Sequence, residues 1–162
     1  MKIYLDMDGV LANFNKRYAE VFQIDPASVE KHSYASKKNF EQFILGHNFI
    51  HLEYMSNATR LIEFVDGLGV DVEILSSSGG ALHHSEVEIQ KKIWLNSRLL
   101  HYPANIVPGG SKKAAFATPD SILIDDTPRV IDKFRAAGGL AILHRDDEIQ
   151  HTFYELTRMI GQ

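Results

Sequence analysis

The sequence predicts an α/β fold in three layers, a parallel sheet flanked by helices, with a small helical insertion. Three observations predict it. Short runs of nearly continuous apolar character recur as "KIYL" at 2–5, "VEIL" at 72–75, "SILI" at 121–124 and "LAIL" at 140–143. Segments with helical periodicity separate them. One early stretch, rich in polar and aromatic residues, breaks the alternation.

The first strand, 2–5, runs into Asp6-Met7-Asp8-Gly9. Residues 15–56 are read as a small insertion after that strand. Within it, 25–56 holds Pro26, several polar residues and the aromatics Tyr34, Phe40, Phe43, Phe49 and Tyr54. It is expected to be mainly helical and to sit beside the strand's C-terminal end, where open α/β sheets bind ligands. After Asn57, the residues Leu61, Ile62, Phe64, Val65 and Leu68 recur at helical spacing, and Gly69 stands where a C-cap would. The second strand, 72–75, leads into Ser76-Ser77-Ser78-Gly79-Gly80. A helix over about 85–100 would place Val87, Ile93, Trp94 and Leu100 on one face. "NIV" at 105–107 is a weaker strand. The strand at 121–124 ends in Asp125-Asp126-Thr127. The next helix has Thr127 as N-cap, Pro128 at its first position, Val130, Ile131 and Phe134 facing inward, and Gly138 at its end. The last strand, 140–143, precedes a helix over about 147–160.

Composition bounds the rest. The chain has 162 residues, read as one domain over 1–162 with a real core. A net charge of −4 with no basic run argues against nucleic acid or an anionic membrane as partner. With no cysteine there is no disulfide framework, thiolate nucleophile or cysteine–zinc site. That is compatible with a reducing cytoplasm, the expected location. Asp6 interrupts any signal peptide, and no apolar run nears a transmembrane length. A homodimer is compatible with the sequence.

The chemistry lies just beyond the C-terminal end of each apolar run. If the strands are parallel, Asp6, Asp8, Asp125 and Asp126 gather at one edge with the serines of 76–78. Four negative charges in one crevice repel unless a hard divalent cation sits among them. Oxygen-only ligands favour magnesium, which commonly shares its shell with a phosphate. Taken singly, an aspartate at a strand end is a turn or cap residue, and a serine–glycine run is a loop. Those readings do not explain why acids and hydroxyls all come directly after strand-like runs. A receiver-type domain would carry its phosphoacceptor aspartate after a middle strand, but here the middle run ends in serines. No G-x-x-x-x-G-K-[ST] occurs, which disfavours a P-loop kinase.

These residues resemble the haloacid dehalogenase superfamily of phosphohydrolases. "DMDGVLANF" resembles its first motif, Ser76 in "ILSSSG" its second, a lysine in "GGSKKAAFA" its third and "ILIDDTP" its fourth. A nearer resemblance is to the 5'(3')-deoxyribonucleotidase group. Its opening, its Phe-x-x-Leu-Glu segment and its Lys-x-x-Trp helix are matched by "DMDGVLANF", "NFIHLEYMSNA" and "KKIWLNSRL", with Asn13, Tyr54, Ser56 and Asn57 as departures.

The resemblance implies a Rossmann-like core and a magnesium-dependent phosphomonoesterase acting on nucleoside monophosphates through an aspartyl-phosphate. The alternatives are a phosphatase for another small phosphorylated metabolite and a non-catalytic member that binds phosphate. Asp6 would be the nucleophile and Asp8 the acid and base, with Asp8 giving the metal its backbone carbonyl. Asp6, Asp8, Asp125 and Asp126 would hold magnesium, Asp126 directly and Asp125 directly or through water. Lys113, with Lys112 as alternative, would face the phosphate together with Ser76 and Ser77. Lys91 would reach phosphate or sugar, and Phe14 and Phe49 would stack on a base. His83 and His84 are read as neutral surface histidines.

Overall fold

A computed structural model describes residues 1–28 and 34–161. The part of the predicted insertion at 29–33 lies outside the described residues. Five parallel strands form the sheet: β1 (Lys2–Leu5), β2 (Asp71–Ser77), β3 (Ala104–Val107), β4 (Ser121–Asp125) and β5 (Leu140–Leu143), in the order β3-β2-β1-β4-β5. The strands read as apolar runs because both faces are covered. Ile3, Leu5, Ile74, Ile122, Ile124 and Ile142 face one core, while Tyr4, Leu75, Val107, Leu123 and Ala141 face the other.

Six α-helices are described: α1 (Phe14–Phe22), α2 (Tyr34–Leu45), α3 (Ala58–Gly67), α4 (His84–Ser97), α5 (Pro128–Ala136) and α6 (Ile149–Ile160). Residues from α1, α2, α3, α4 and α6 join the first core, and α5 covers the second. Asn13 starts α1 by accepting from the Lys16 backbone N–H at 3.1 Å. Pro128 is the first residue of α5, and Val130, Ile131 and Phe134 are its buried residues. Among the described residues, no helix is long and apolar enough to cross a membrane.

Between β1 and α3 the described chain forms α1, α2 and 3₁₀ turns at Pro26–Ser28 and Asn48–His51. Their apolar side chains make an aromatic cluster in which Phe14 packs on Tyr18, Phe43 and Phe49, with the Phe14 and Phe49 rings stacked at 5.7 Å. This segment is pinned to α4. Gln90 donates to Ile44 O at 2.8 Å and accepts from Phe49 N at 3.3 Å, and Trp94 Nε1 donates to Leu52 O at 2.7 Å. These bonds correct the expected face of α4. Ile93 is 44% exposed, while Gln90 and Lys91 are buried beside Val87 and Trp94. Their polar ends find partners inside, which hydrophobic periodicity cannot register.

Candidate active site

The sheet order reverses direction at β1, where β2 lies on one side and β4 on the other. Ligands of open α/β sheets bind at the C-terminal ends of the strands flanking such a point. β1 runs directly into Asp6, while β2 and β4 end in Ser77 and Asp125. A cleft of about 860 Å³ opens above them. Its floor and walls include Asp6, Asp8, Ser77, Ser78, Lys113 and Asp126, and the β1–β2 segment adds Phe14, Phe40 and Phe49.

Register and local turns place each acid. Asp6 is buried, and one carboxylate oxygen lies 2.9 Å from Lys113 Nζ. Lys113 comes from the 3₁₀ segment Gly110–Phe116 and also donates to Asp125 Oδ2 at 2.6 Å. The second oxygen of Asp125 accepts from the Thr127 backbone N–H at 2.9 Å. Asp126 turns the other way, toward the loop after β1. A Cβ added to Gly9 would lie 2.0 Å from Asp126 Oδ2, so the carboxylate occupies space only a glycine leaves open. Gly9 also has φ +81°, a left-handed conformation that suits glycine.

Carboxylate oxygens of Asp6, Asp125 and Asp126 lie within 4.8 Å of one another. The donor set is all oxygen, which fits a hard cation such as magnesium. Charge points the same way. Asp6, Asp8, Asp125 and Asp126 are opposed by two ammonium groups, Lys91 and Lys113, so one divalent ion would balance the cluster. Without it Asp8, Asp125 and Asp126 resist ionisation. Burial, then the Asp6 charge, pushes Asp125 up to about 6, against the pull of Lys113. Burial and the charges of Asp6, Asp125 and Asp8 push Asp126 up to about 7. Burial pulls the Lys113 ammonium down, but Asp6 and Asp125 outweigh it and hold its affinity for a proton above the ordinary lysine value. Asp8 is raised by burial, opposed by Lys91 and raised further by Asp6.

The residues expected from sequence fall into two groups. Asp6, Asp8, Lys113, Asp126, Ser77, Phe14 and Phe49 line the cleft. Ser76, Lys91 and Asp125 lie behind its wall. Ser76 is fully buried on the Ile74 side of β2, and its Oγ accepts from Lys91 Nζ at 2.7 Å. Lys91 is 1% exposed and also donates to Asp8 Oδ2 at 2.9 Å and Ser77 O at 2.8 Å, with its ammonium 5.3 Å from the centre of the Phe49 ring. Instead of pointing at a ligand, Lys91 braces Asp8 against β2. Lys112 is exposed, whereas Lys113 reaches the acids.

His84 is not a bare surface histidine. Its Nδ1 lies 2.8 Å from Ser78 Oγ and its Nε2 lies 3.2 Å from Glu88 Oε2, so α4 holds the serine loop through its first turn. Sequence reasoning also passed over Arg129, His144 and Arg145, which line the cleft. Arg145 donates to Asp126 O at 2.7 Å. The available signal was position: His144 directly succeeds the apolar run of β5, as Asp6 succeeds that of β1.

No protein-family model matches the chain, and no curated protein matches it. Solved structures share its fold at low identity. A hydrolase from Streptococcus pneumoniae TIGR4 is 11% identical over 99% of this chain and 98% of that one, with a TM-score of 0.52. A candidate beta-phosphoglucomutase from Thermotoga maritima is 12% identical over 96% of this chain and 99% of that one, with a TM-score of 0.52. A hydrolase from Pseudomonas syringae is 13% identical over 87% of this chain and 82% of that one, with a TM-score of 0.50.

Proposed function

We propose that this protein is a phosphomonoesterase of the haloacid dehalogenase type, hydrolysing nucleoside monophosphates. The observation that carries the reading is the joint placement of Asp6, Asp8, Lys113 and Asp126 on one cleft at the point where the sheet order reverses. A fold shared with two proteins described as hydrolases supports it. In the proposed reaction a carboxylate oxygen of Asp6 bonds to phosphorus as the ester oxygen leaves, and Asp8 gives that oxygen its proton. Asp8 then takes a proton from the water that attacks the aspartyl-phosphate, freeing Asp6 and inorganic phosphate. The raised proton affinity of Asp8 suits the first step.

Asp6, Asp126 and Asp125 would hold magnesium, which neutralises the phosphoryl oxygens when bound. Asp126 suits direct contact, since both Asp125 oxygens already have partners in Lys113 and Thr127. Lys113 faces the phosphate from beside Asp6. The phosphate hydroxyl passes from Ser76 to Ser77, which lines the cleft, whereas the neighbouring Ser78 Oγ is engaged with Gly80 O and His84 Nδ1. The aromatic wall of Phe14, Phe40 and Phe49 favours a planar leaving group over a bare sugar.

Phosphate release from 5' and 3' deoxy- and ribonucleotides and sugar phosphates tests this. Nucleotides should turn over with magnesium, and EDTA or Asp6→Asn should abolish release. Turnover of sugar phosphates alone would remove the nucleotide and keep the mechanism. No turnover of any ester would remove both.

A further inference from the structure

One buried group on the cleft has no task in that reaction. His144 is 1% exposed, its Nδ1 lies 2.8 Å from Thr152 Oγ1, and its Nε2 is enclosed without a hydrogen-bond partner. Among the described residues, the only other enclosed side-chain N or O atom without a partner is Asp8 Oδ1, and both residues line the same cleft. A buried polar atom left unpaired costs stability, and native structures normally supply it a partner.

The sheet shows where that partner lies. Asp125 pairs with Leu143 across β4 and β5, so the next residues, Asp126 and His144, are neighbours. The His144 backbone N–H donates to Asp125 O at 2.8 Å. Yet the ligand atoms that converge within 4.8 Å come from Asp6, Asp125 and Asp126 and not from His144. His144 thus lies next to Asp126 along the sheet edge and lines the same cleft, while its ring is outside the ligand set. A ring outside the ligand set can still act on a bound cation through an intervening water.

We propose that His144 is a positioning residue for the cation site, its Nε2 accepting a hydrogen bond from a water held by a divalent ion at Asp6, Asp125 and Asp126. The inference rests on the cation reading above. Acceptance at Nε2 requires the proton on Nδ1, where Thr152 Oγ1, at 2.8 Å, is placed to accept it and would hold that tautomer. In that tautomer the Nε2 lone pair, which has no other partner, is available.

The test is imidazole ¹⁵N NMR of the full chain. Without metal, His144 should show a protonated Nδ1 and a bare Nε2. Magnesium alone should shift Nε2 and leave Nδ1 in place. By calorimetry, His144→Ala should weaken magnesium binding roughly 10- to 100-fold. His144→Gln, whose amide reaches the Nε2 position, should recover most of that loss, and His144→Asn should not. Thr152→Val keeps the ring and should weaken binding by releasing the tautomer. An Nε2 that ignores magnesium overturns the inference, as does one that moves only with phosphate or a phosphate ester. Asp6 and Asp126 carboxylates that respond to magnesium while Nε2 is silent remove this inference alone. Carboxylates that do not respond remove the cation reading with it.

Discussion

Lys91 has no room to choose a ligand. Its buried ammonium makes three bonds, to Asp8, to Ser76 and to the Ser77 carbonyl. Replacing it with methionine keeps most of the stem and removes the charge. Burial and Asp6 then act on Asp8 without their chief opponent, so Asp8 should hold its proton to still higher pH. Since the proposed first step uses protonated Asp8, the alkaline limb of the kcat/KM profile should move upward for Lys91→Met. Its maximum should fall by about 10²-fold or more, because Asp8 is no longer aimed. A lysine that merely bound phosphate would instead raise KM and leave the limb in place. The variant also strands Ser76 Oγ and the Ser77 carbonyl, each worth about 1–3 kcal/mol if unsatisfied, so folding is checked by circular dichroism. Three consecutive serines in the sequence do not say whether Ser76 or Ser77 faces the cleft. Register decides it: Leu5 pairs with Ile74, which puts Ser76 on the core side and Ser77 opposite.

The turn after β1 makes a test at the scale of elements. Gly9 and Gly138 both have positive φ, +81° and +96°, but only Gly9 is crowded: an added Cβ meets Asp126 Oδ2 at 2.0 Å, whereas Gly138 meets nothing within 4 Å. Gly138→Ala, between α5 and β5, should therefore lose roughly 1–2 kcal/mol of stability, the cost of a left-handed alanine, and keep its magnesium affinity. Gly9→Ala should lose that and also displace Asp126, weakening magnesium by at least about tenfold. Melting temperature and calorimetric magnesium titration separate the two effects, and equal affinities would show that Asp126 does not need the space over Gly9. The strands and α5 were legible in the sequence because apolar runs, Thr127-Pro128 and Gly138 are local signals. The inward face of α4 was not. Its buried positions include Gln90 and Lys91, which are polar in sequence and become internal only once Ile44, Phe49 and Asp8 arrive from elsewhere in the chain.

Across the whole molecule, gathering acids at the edge of one sheet couples the fold to pH and to metal. Folded Asp125 and Asp126 titrate at about 6 and about 7, above the roughly 3.9 of an unfolded chain. Between about pH 4 and 7 the folded state therefore holds more protons than the unfolded state, and stability falls as pH rises through that window. His144 works the other way, since burial depresses it and its contribution is lost as pH falls. The acid contribution is thus best read as the difference between wild type and Asp126→Asn. Metal-free wild type should melt higher at pH 5 than at pH 8, and Asp126→Asn should flatten much of that slope. Magnesium then takes the place of the protons. At about 100 times its Kd it should add ~2.7 kcal/mol, which for a chain of this size raises the melting temperature by about 5–10 °C. The gain should be larger at pH 8 than at pH 5, where protons compete for the same oxygens, and Asp126→Asn should lose most of it. A wild-type melting temperature that ignores magnesium at pH 8 would mean that the acidic edge is held by Lys91 and Lys113 alone, and the cation would drop out of the proposed chemistry.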